Sequence, residues 1–329
     1  MIGCYATGIF PRPNKLIEAT RAYERGTITK GMLEKAFKEA TAEIIWLQES
    51  VGFSYVTDGM LKWQDLLRPF TENLNGVKTG SLARWFNTNM FYRTPIIIGD
   101  MRKTKSVTKK FAYIQLLPAK IPWKAILPAP YTFVRLSKIN TSRSERELMF
   151  EYAEILRDEI SELAALGFKY IQLSDPALVY NPTHKILSKD LLIDVKEALK
   201  ITVKGSKVKT CLQTFFGDFC QLLPEALDFP VDHLGIDLFE TSIERLRDYS
   251  FEHGVALGLV DSRNSLVENP NSLFEKAKKV IDLMQCTVER REIFVCPNCD
   301  LEFLPLRRAK KKMQTIGLVA KRLREELNG

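Results

Sequence analysis

Three thiols and a carboxylate are the side chains of this 329-residue chain best suited to hold a metal. Cys211, Asp237 and Cys299, with Cys296 as a further donor from the segment Cys296-Pro297-Asn298-Cys299, offer soft sulfur and one hard oxygen. That mixture suits tetrahedral Zn²⁺. The competing account is plain packing, because one Cys-x-x-Cys without a second pair or two histidines is a weak signal and free cysteines are often simply buried. His233 is a poor ligand candidate: it opens its strand and belongs near the opposite end. A second set is polar and sits where strands are expected to end: Asp58, Ser174, Asp175, Asp261 and Arg263, with Gln213 beside them. These are the candidate substrate-binding residues. Arg263 offers a planar fork for a carboxylate, or a local bridge to Asp261. Asp58 and Asp175 also suit backbone hydrogen bonds at strand ends. Asp175 and Asp237 would serve as an acid/base pair for glycoside hydrolysis, although carboxylates at strand ends are common in barrels.

These residues depend on a regular alternation to bring them together. Eight apolar runs read as strands, near Gly3–Ile9, Phe53–Thr57, Ala125–Pro128, Lys169–Ser174, Val208–Thr214, Leu234–Leu238, Val255–Val260 and Ile293–Cys296. Helical segments follow most of them, among them 142–166, 241–249, 270–284 and 306–327. Eight strands alternating with helices predict an α/β fold, a single (β/α)₈ TIM barrel spanning 1–329. An open doubly wound sheet would lead one to expect a GxGxxG after the first strand, and none is there. Residues 80–124 break the alternation and read as an insertion between strands 2 and 3, with Phe111–Leu117 strand-like. The stretch 30–51 reads as a long helix outside the barrel. In such a barrel the chemistry sits at the carboxyl ends of the strands. Alternation turns Lys209, Cys211 and Gln213 inward on the fifth strand, and Gln172 and Ser174 inward on the fourth.

Composition narrows the partners. The chain is 45% hydrophobic and 27% charged, with no apolar run near the roughly 20 residues that span a bilayer. Its opening residues lack a signal peptide's basic region and apolar core. A cytoplasmic protein with no membrane role is expected, its six cysteines kept as thiols. The net charge of +8 raises the question of nucleic acid. The cations are interleaved with acids, however, and the two local excesses, 101–110 and 307–312, carry no nucleic-acid motif. Both read as solvated faces. Lys103, Lys105, Lys109 and Lys110 would otherwise suit an anionic ligand tail.

Several segments together resemble the cobalamin-independent methionine synthase family. They are Ala6-Thr7-Gly8-Ile9-Phe10-Pro11, Gln48–Phe53 with Val56-Thr57-Asp58-Gly59, Leu127–Thr132, Ile171-Gln172-Leu173-Ser174-Asp175-Pro176-Ala177-Leu178, and Cys296–Leu301. They occur in consistent order over nearly the whole chain. Arg84-Trp85-Phe86-Asn87-Thr88-Asn89 with Tyr92, Leu212–Asp218 and Val260–Asn264 resemble that family's N-terminal barrel more than its catalytic one. The resemblance implies methyl transfer to the thiol of homocysteine from a methylated folate or corrinoid, in a zinc-dependent reaction of methionine biosynthesis. It also implies where the family's groups fall. The zinc histidine becomes Cys211, the first zinc cysteine Gln213 and the zinc glutamate Asp237, while Cys299 is retained. The two homocysteine-binding acids fall on Met60 and Ser174, and the proton-donor histidine on Arg263. Three readings follow. The chain is a methyltransferase-family barrel of methionine synthesis, acting alone or, as preferred, as the N-terminal-like subunit of a split enzyme with a separately encoded catalytic barrel; or it is a non-catalytic binding or regulatory barrel without the zinc site. The third is a barrel enzyme acting on another small acidic substrate through Asp175, Asp237 and Arg263. Trp85, Phe86 and Tyr92 would stack on a pterin ring, cover a partner surface, or simply belong to the core.

Overall fold

The computed structural model describes residues 1–183, 185–284 and 291–327. Its strands are β1 (Ile2–Cys4), β2 (Leu74–Arg84), β3 (Phe91–Lys103), β4 (Trp123–Pro128), β5 (Lys138–Ile139) and β6 (Phe168–Ser174). The rest are β7 (Lys209–Gln213), β8 (His233–Asp237), β9 (Gly254–Val260) and β10 (Ile293–Pro297). The helices are α1 (Asn14–Glu24), α2 (Lys30–Ser50), α3 (Arg68–Thr71), α4 (Val107–Phe111) and α5 (Pro130–Arg135). They continue as α6 (Glu145–Leu166), α7 (Pro176–Val179), α8 (Lys189–Val203), α9 (Pro270–Leu283) and α10 (Leu306–Leu327). Seven strands form one parallel sheet in the order β1-β10-β9-β8-β7-β6-β4. The order follows the chain around a curled, barrel-like wall with helices outside.

Eight regular strands were expected, and the second is not one. Residues 53–57 lie between β1 and β4: Ser54 N donates to Cys4 O at 2.8 Å and Lys124 N to Val56 O at 2.8 Å. Only Val56 and Trp123 form a bridge. Side chains intercept the rest of the ladder. Ser54 Oγ takes the Cys4 N–H at 3.2 Å, while the Gln48 amide bonds both the N–H of Thr57 at 3.0 Å and its carbonyl at 2.8 Å. A backbone group satisfied by a side chain has no need of a neighbouring strand. The first strand also stops early, because Gly8 turns the chain at φ +76° and Asp300 Oδ1 captures the Ile9 N–H at 2.9 Å.

The irregular region is a second sheet, ordered β2-β3-β5, with β2 and β3 antiparallel. It begins at Leu74, upstream of the expected residue 80. Phe111–Leu117 is not extended: α4 ends at Phe111 and a 3₁₀ turn covers Ile114–Leu116. The local cause is a cap. Ser106 Oγ accepts the Lys109 N–H at 3.2 Å, and Glu159 on α6 accepts those of Val107 and Thr108 at 3.1 and 2.7 Å. Lys103 is no solvated lysine either, since its ammonium meets Glu159 at 2.9 Å and Glu162 at 3.0 Å. Residues 241–249, read as helical, form a 3₁₀ turn over Ile243–Asp248.

The longer helices follow their apolar spacing. In α6, Leu148, Tyr152, Ile155, Leu156, Ile160 and Leu163 are buried along one face. Ser144 and Glu147 close a capping box at its start, and Gly167 ends it in the left-handed region at φ 108°. Inside the curl a different layer forms. Tyr5, Tyr55, Tyr170, Cys211, Ala256, Phe294 and Cys296 pack apart from the main core. Lys124 is buried among them, its Nζ 3.2 Å from the centre of the Tyr5 ring and bonded to Ala6 O at 3.0 Å. Burial pushes this amine down to about 7.

Candidate functional site

The expected site residues are not all at one place. Cys211 and Cys296 belong to the aromatic layer inside the wall: the Tyr5 hydroxyl points to Cys211 Sγ at 3.9 Å, and Cys296 Sγ donates to Leu257 O at 3.5 Å. Burial raises all three candidate thiols above the ordinary cysteine range, Cys299 included. Asp237 ends β8 with both carboxylate oxygens engaged. Oδ2 accepts the Phe216 N–H at 3.2 Å, and Oδ1 accepts that of Phe239 at 3.0 Å and the Asn298 amide at 3.2 Å. Among the described residues no three His, Cys, Asp or Glu side chains converge to hold a metal ion. Cys211 stands opposite His233 at the start of β8, four residues short of Asp237, and Gln213 takes the place of a sulfur donor, so this set as arranged does not fit zinc.

What does converge at the strand ends is a polar network centred on Asn298. Its Nδ2 spans Asp237 Oδ1 and Asp261 Oδ1, at 3.2 and 3.4 Å, and its Oδ1 accepts the Ser262 N–H at 2.9 Å. Asp261 Oδ1 also accepts the Arg263 N–H at 2.9 Å. The Arg263 guanidinium pairs with Glu240 and lies 5.4 Å from the centre of the Phe216 ring, and its buried Nε makes no hydrogen bond but stands 3.9 Å from Asp261 Oδ1, the local bridge expected from the sequence. Thr7 and Ser262 hydroxyls both donate to Cys299 O, at 2.9 and 3.1 Å, tying β1 and β9 to the turn after β10. The structure thus joins Asp237, Asp261 and Arg263. Asn298 and Glu240 were not singled out from the sequence. The first was legible only as a polar residue lodged inside the Cys-x-x-Cys segment.

The remaining candidates stand apart. Asp58 accepts the N–H groups of Met60 and Tyr113, both at 3.0 Å, and so fastens two loops. Ser174 Oγ accepts the Gln172 amide at 2.9 Å; next to it in register stands Gln213. The Oε1 atoms of Gln172 and Gln213 are buried acceptors with no protein donor. Asp175 is bonded on the side of α5, where the Thr132 hydroxyl donates to its Oδ1 at 2.5 Å. Its Oδ2 is buried without a partner, and burial pushes the carboxyl up to about 7.

That shift has a sign. Unfolded, an aspartate releases its proton near 4; folded, Asp175 keeps it to about 7. The native state therefore binds more protons between those limits, and this group's contribution to stability falls as pH rises through that window. Urea unfolding at pH 4.5, 6 and 7.5 should show the decline in the wild type and a flatter profile in Asp175→Asn. Parallel profiles would mean that the native carboxyl titrates as in the unfolded chain.

Beside the network, a cleft of about 750 Å³ runs between the loops after β6, β7 and β8, lined by Asn87, Tyr180, Asn181, Phe216, Asp218 and Glu240 among others. Phe86 packs against Tyr180 and Phe216, with ring centres 4.9 and 5.5 Å apart. Phe86 and Phe216 both hold positive φ, 51° and 72°, which non-glycine residues rarely adopt. Trp85 and Tyr92 are buried behind them and act as core, with the Tyr92 hydroxyl on Leu136 O at 3.1 Å.

Comparison with known proteins places this geometry. Residues 4–322 match the family model described as the catalytic domain of cobalamin-independent synthase. The chain is 27% identical to a methionine synthase of Sulfurisphaera tokodaii over 97% of its own length and 92% of the relative's. It is 26% identical to one of Saccharolobus solfataricus over 97% and 94%. Among solved structures, a B12-independent methionine synthase from Shewanella sp. W3-18-1, in complex with selenomethionine, superposes with a TM-score of 0.79 at 20% identity, covering 100% of this chain and 99% of that one. The corresponding protein from Listeria monocytogenes gives 0.73 at 16% identity, covering 98% and 99%; these two likenesses speak for the fold. The model matched is the catalytic domain's, while the likeness to the N-terminal barrel rests on the motifs alone. With that match running from β1 into α10, the chain belongs to the cobalamin-independent methionine synthase family.

Proposed function

We propose that this chain works in methionine biosynthesis as one barrel of a two-component methyltransferase, binding an amino-acid reactant at its strand ends while a separately encoded catalytic barrel activates the thiol. The segment 53–57 serves as the eighth position of the wall, and the β2-β3-β5 sheet is the insertion elaborating it. The family match supports the reaction class, methyl transfer to homocysteine from a methylated folate or corrinoid. The observation that carries the division of labour is the separation of the ligand candidates. A free thiol near neutral pH is mostly protonated and needs activation, and among the described residues no three His, Cys, Asp or Glu side chains converge, with Cys211 four residues of β8 away in register from Asp237. The half-buried Arg263 fork, whose Nε makes no hydrogen bond within the protein, is suited to the carboxylate of an amino acid. The Shewanella protein of similar fold was solved in complex with selenomethionine, which accords with an amino-acid ligand for a barrel of this kind.

The test has two parts. Calorimetric titration with L-homocysteine and L-methionine should give binding that Arg263→Gln weakens by about tenfold, the scale of one charged hydrogen bond. Methyl transfer from methyltetrahydrofolate or methylcobalamin should require the second barrel. Turnover by this chain alone, with about one equivalent of zinc lost in Cys299→Ala, would overturn the two-component reading. Failure to bind either amino acid would overturn the pathway assignment for this barrel.

A further inference from the structure

The turn that carries Asp261 and Arg263 is held from outside the barrel. Glu268 Oε1 accepts the Asp261 N–H at 2.9 Å, and Lys312 on α10 donates from Nζ to Asp261 O at 2.9 Å. Lys312 and Glu268 then close on each other at 2.7 Å through the same Oε1. The Lys312 side chain is fully buried, on a helix face otherwise made of Ala309, Met313 and Ile316. Glu268 Oε2 is buried with no hydrogen-bond partner. The basic run 307–312 reads from sequence as a solvated face, and its last member is the exception.

A charge pair taken out of water recovers little net stability, and an apolar pair of similar volume often does as well or better. Adhesion of α10 to the wall is therefore a poor explanation for this one. What an apolar pair cannot do is grip an N–H and a C=O of the same residue. Asp261 is the residue gripped; its own carboxylate and the N–H of Ser262 both belong to the Asn298 network, with Arg263 next along the chain. We infer that Lys312 and Glu268 are positioning residues that fix the Asp261 turn, and through it the Arg263 guanidinium, from the C-terminal helix. The functional part of this inference rests on the proposed amino-acid site; the geometric part does not.

The experiment replaces the pair by apolar side chains of similar length, Lys312→Met with Glu268→Met. Cooperative unfolding should be retained, since no charge is left stranded, with the Tm lowered only by the loss of the two backbone hydrogen bonds at Asp261. The Arg263 Nε–H resonance, identified by its loss in Arg263→Lys, should shift or broaden in the double variant. L-methionine affinity should fall at least tenfold. Glu268→Gln keeps an acceptor for the Asp261 N–H and for Lys312, and should hold both readouts near the wild type. An unmoved resonance with unchanged affinity in a folded double variant would overturn the inference. A moved resonance in a protein whose wild type does not bind L-methionine would leave the positioning role standing and overturn the amino-acid site. Should the double variant not fold, Glu268→Leu alone removes the Asp261 N–H contact and must shift the same resonance.

Discussion

Glu159→Ala should cost this protein about 3–5 kcal/mol, the range for breaking a buried ion pair by removing one partner. Glu159 is fully buried on α6 and its two oxygens accept four donors: Lys103 Nζ at 2.9 Å, Ser106 Oγ at 2.9 Å, and the N–H groups of Val107 and Thr108 at 3.1 and 2.7 Å. Alanine leaves the Lys103 ammonium, whose side chain is only 7% exposed, with Glu162 as its remaining carboxylate, and leaves the Val107 and Thr108 N–H groups without an acceptor. Loss of the cap contacts is worth about 1 kcal/mol; the weakened buried ion pair supplies most of the rest. Urea unfolding followed by far-UV circular dichroism measures the change. Glu159→Gln, which keeps two acceptor lone pairs but no charge, should fall between alanine and wild type. A loss below 1 kcal/mol for alanine would mean that the existing Glu162 contact, with water, suffices for Lys103.

Asp237→Ala is the second large effect, and it joins stability to function. Three donors, Phe216 N, Phe239 N and Asn298 Nδ2, converge on this carboxylate in a buried setting. Each donor left unsatisfied costs about 1–3 kcal/mol, so a total near 3 kcal/mol survives partial rescue by water. Because Asn298 also bridges to Asp261, the loss should spread to Arg263, and binding of L-methionine should fall by roughly a hundredfold, about 2.7 kcal/mol. Asp237→Asn turns an N–H₂ toward a donor and should lie between. The result to watch is a variant that loses binding without losing stability. It would give Asp237 a direct contact with the ligand rather than the scaffold role its hydrogen bonds indicate.

Much of the wall was legible in the sequence because parallel strands buried on both faces leave continuous apolar runs, and seven of the eight runs read as strands are strands. The eighth failed for a reason outside any local pattern. Gln48, five residues ahead of Phe53, supplies the hydrogen bonds that Thr57 would have shared with a neighbouring strand. Inward alternation was right for Cys211, which does face the interior. The inference that Cys211 meets Asp237 and Cys299 there needed depth along the axis, and alternation gives only direction. Cys211 pairs in register with His233 at the start of β8, whereas Asp237 closes that strand four residues on. Lys312 shows the same limit. Five basic neighbours within six residues look like a solvated face, and only the phase of α10 against the wall singles out the one that is buried.

The pair of phenylalanines in left-handed backbone bears on how the barrel can drift. Such a conformation costs of order 1–3 kcal/mol at each position and survives only where its surroundings enforce it. At Phe216 the enforcement is dense: Phe215, Phe303 and the Arg263 guanidinium surround the ring. Phe86 sits at the tip of the β2-β3 hairpin and is only partly buried. In a population screened for heat resistance alone, asparagine or glycine at position 86 would relieve the backbone but forfeit the ring contacts with Trp85, Tyr180 and Phe216. A lineage that keeps phenylalanine there trades backbone ease for the aromatic wall it lends the cleft.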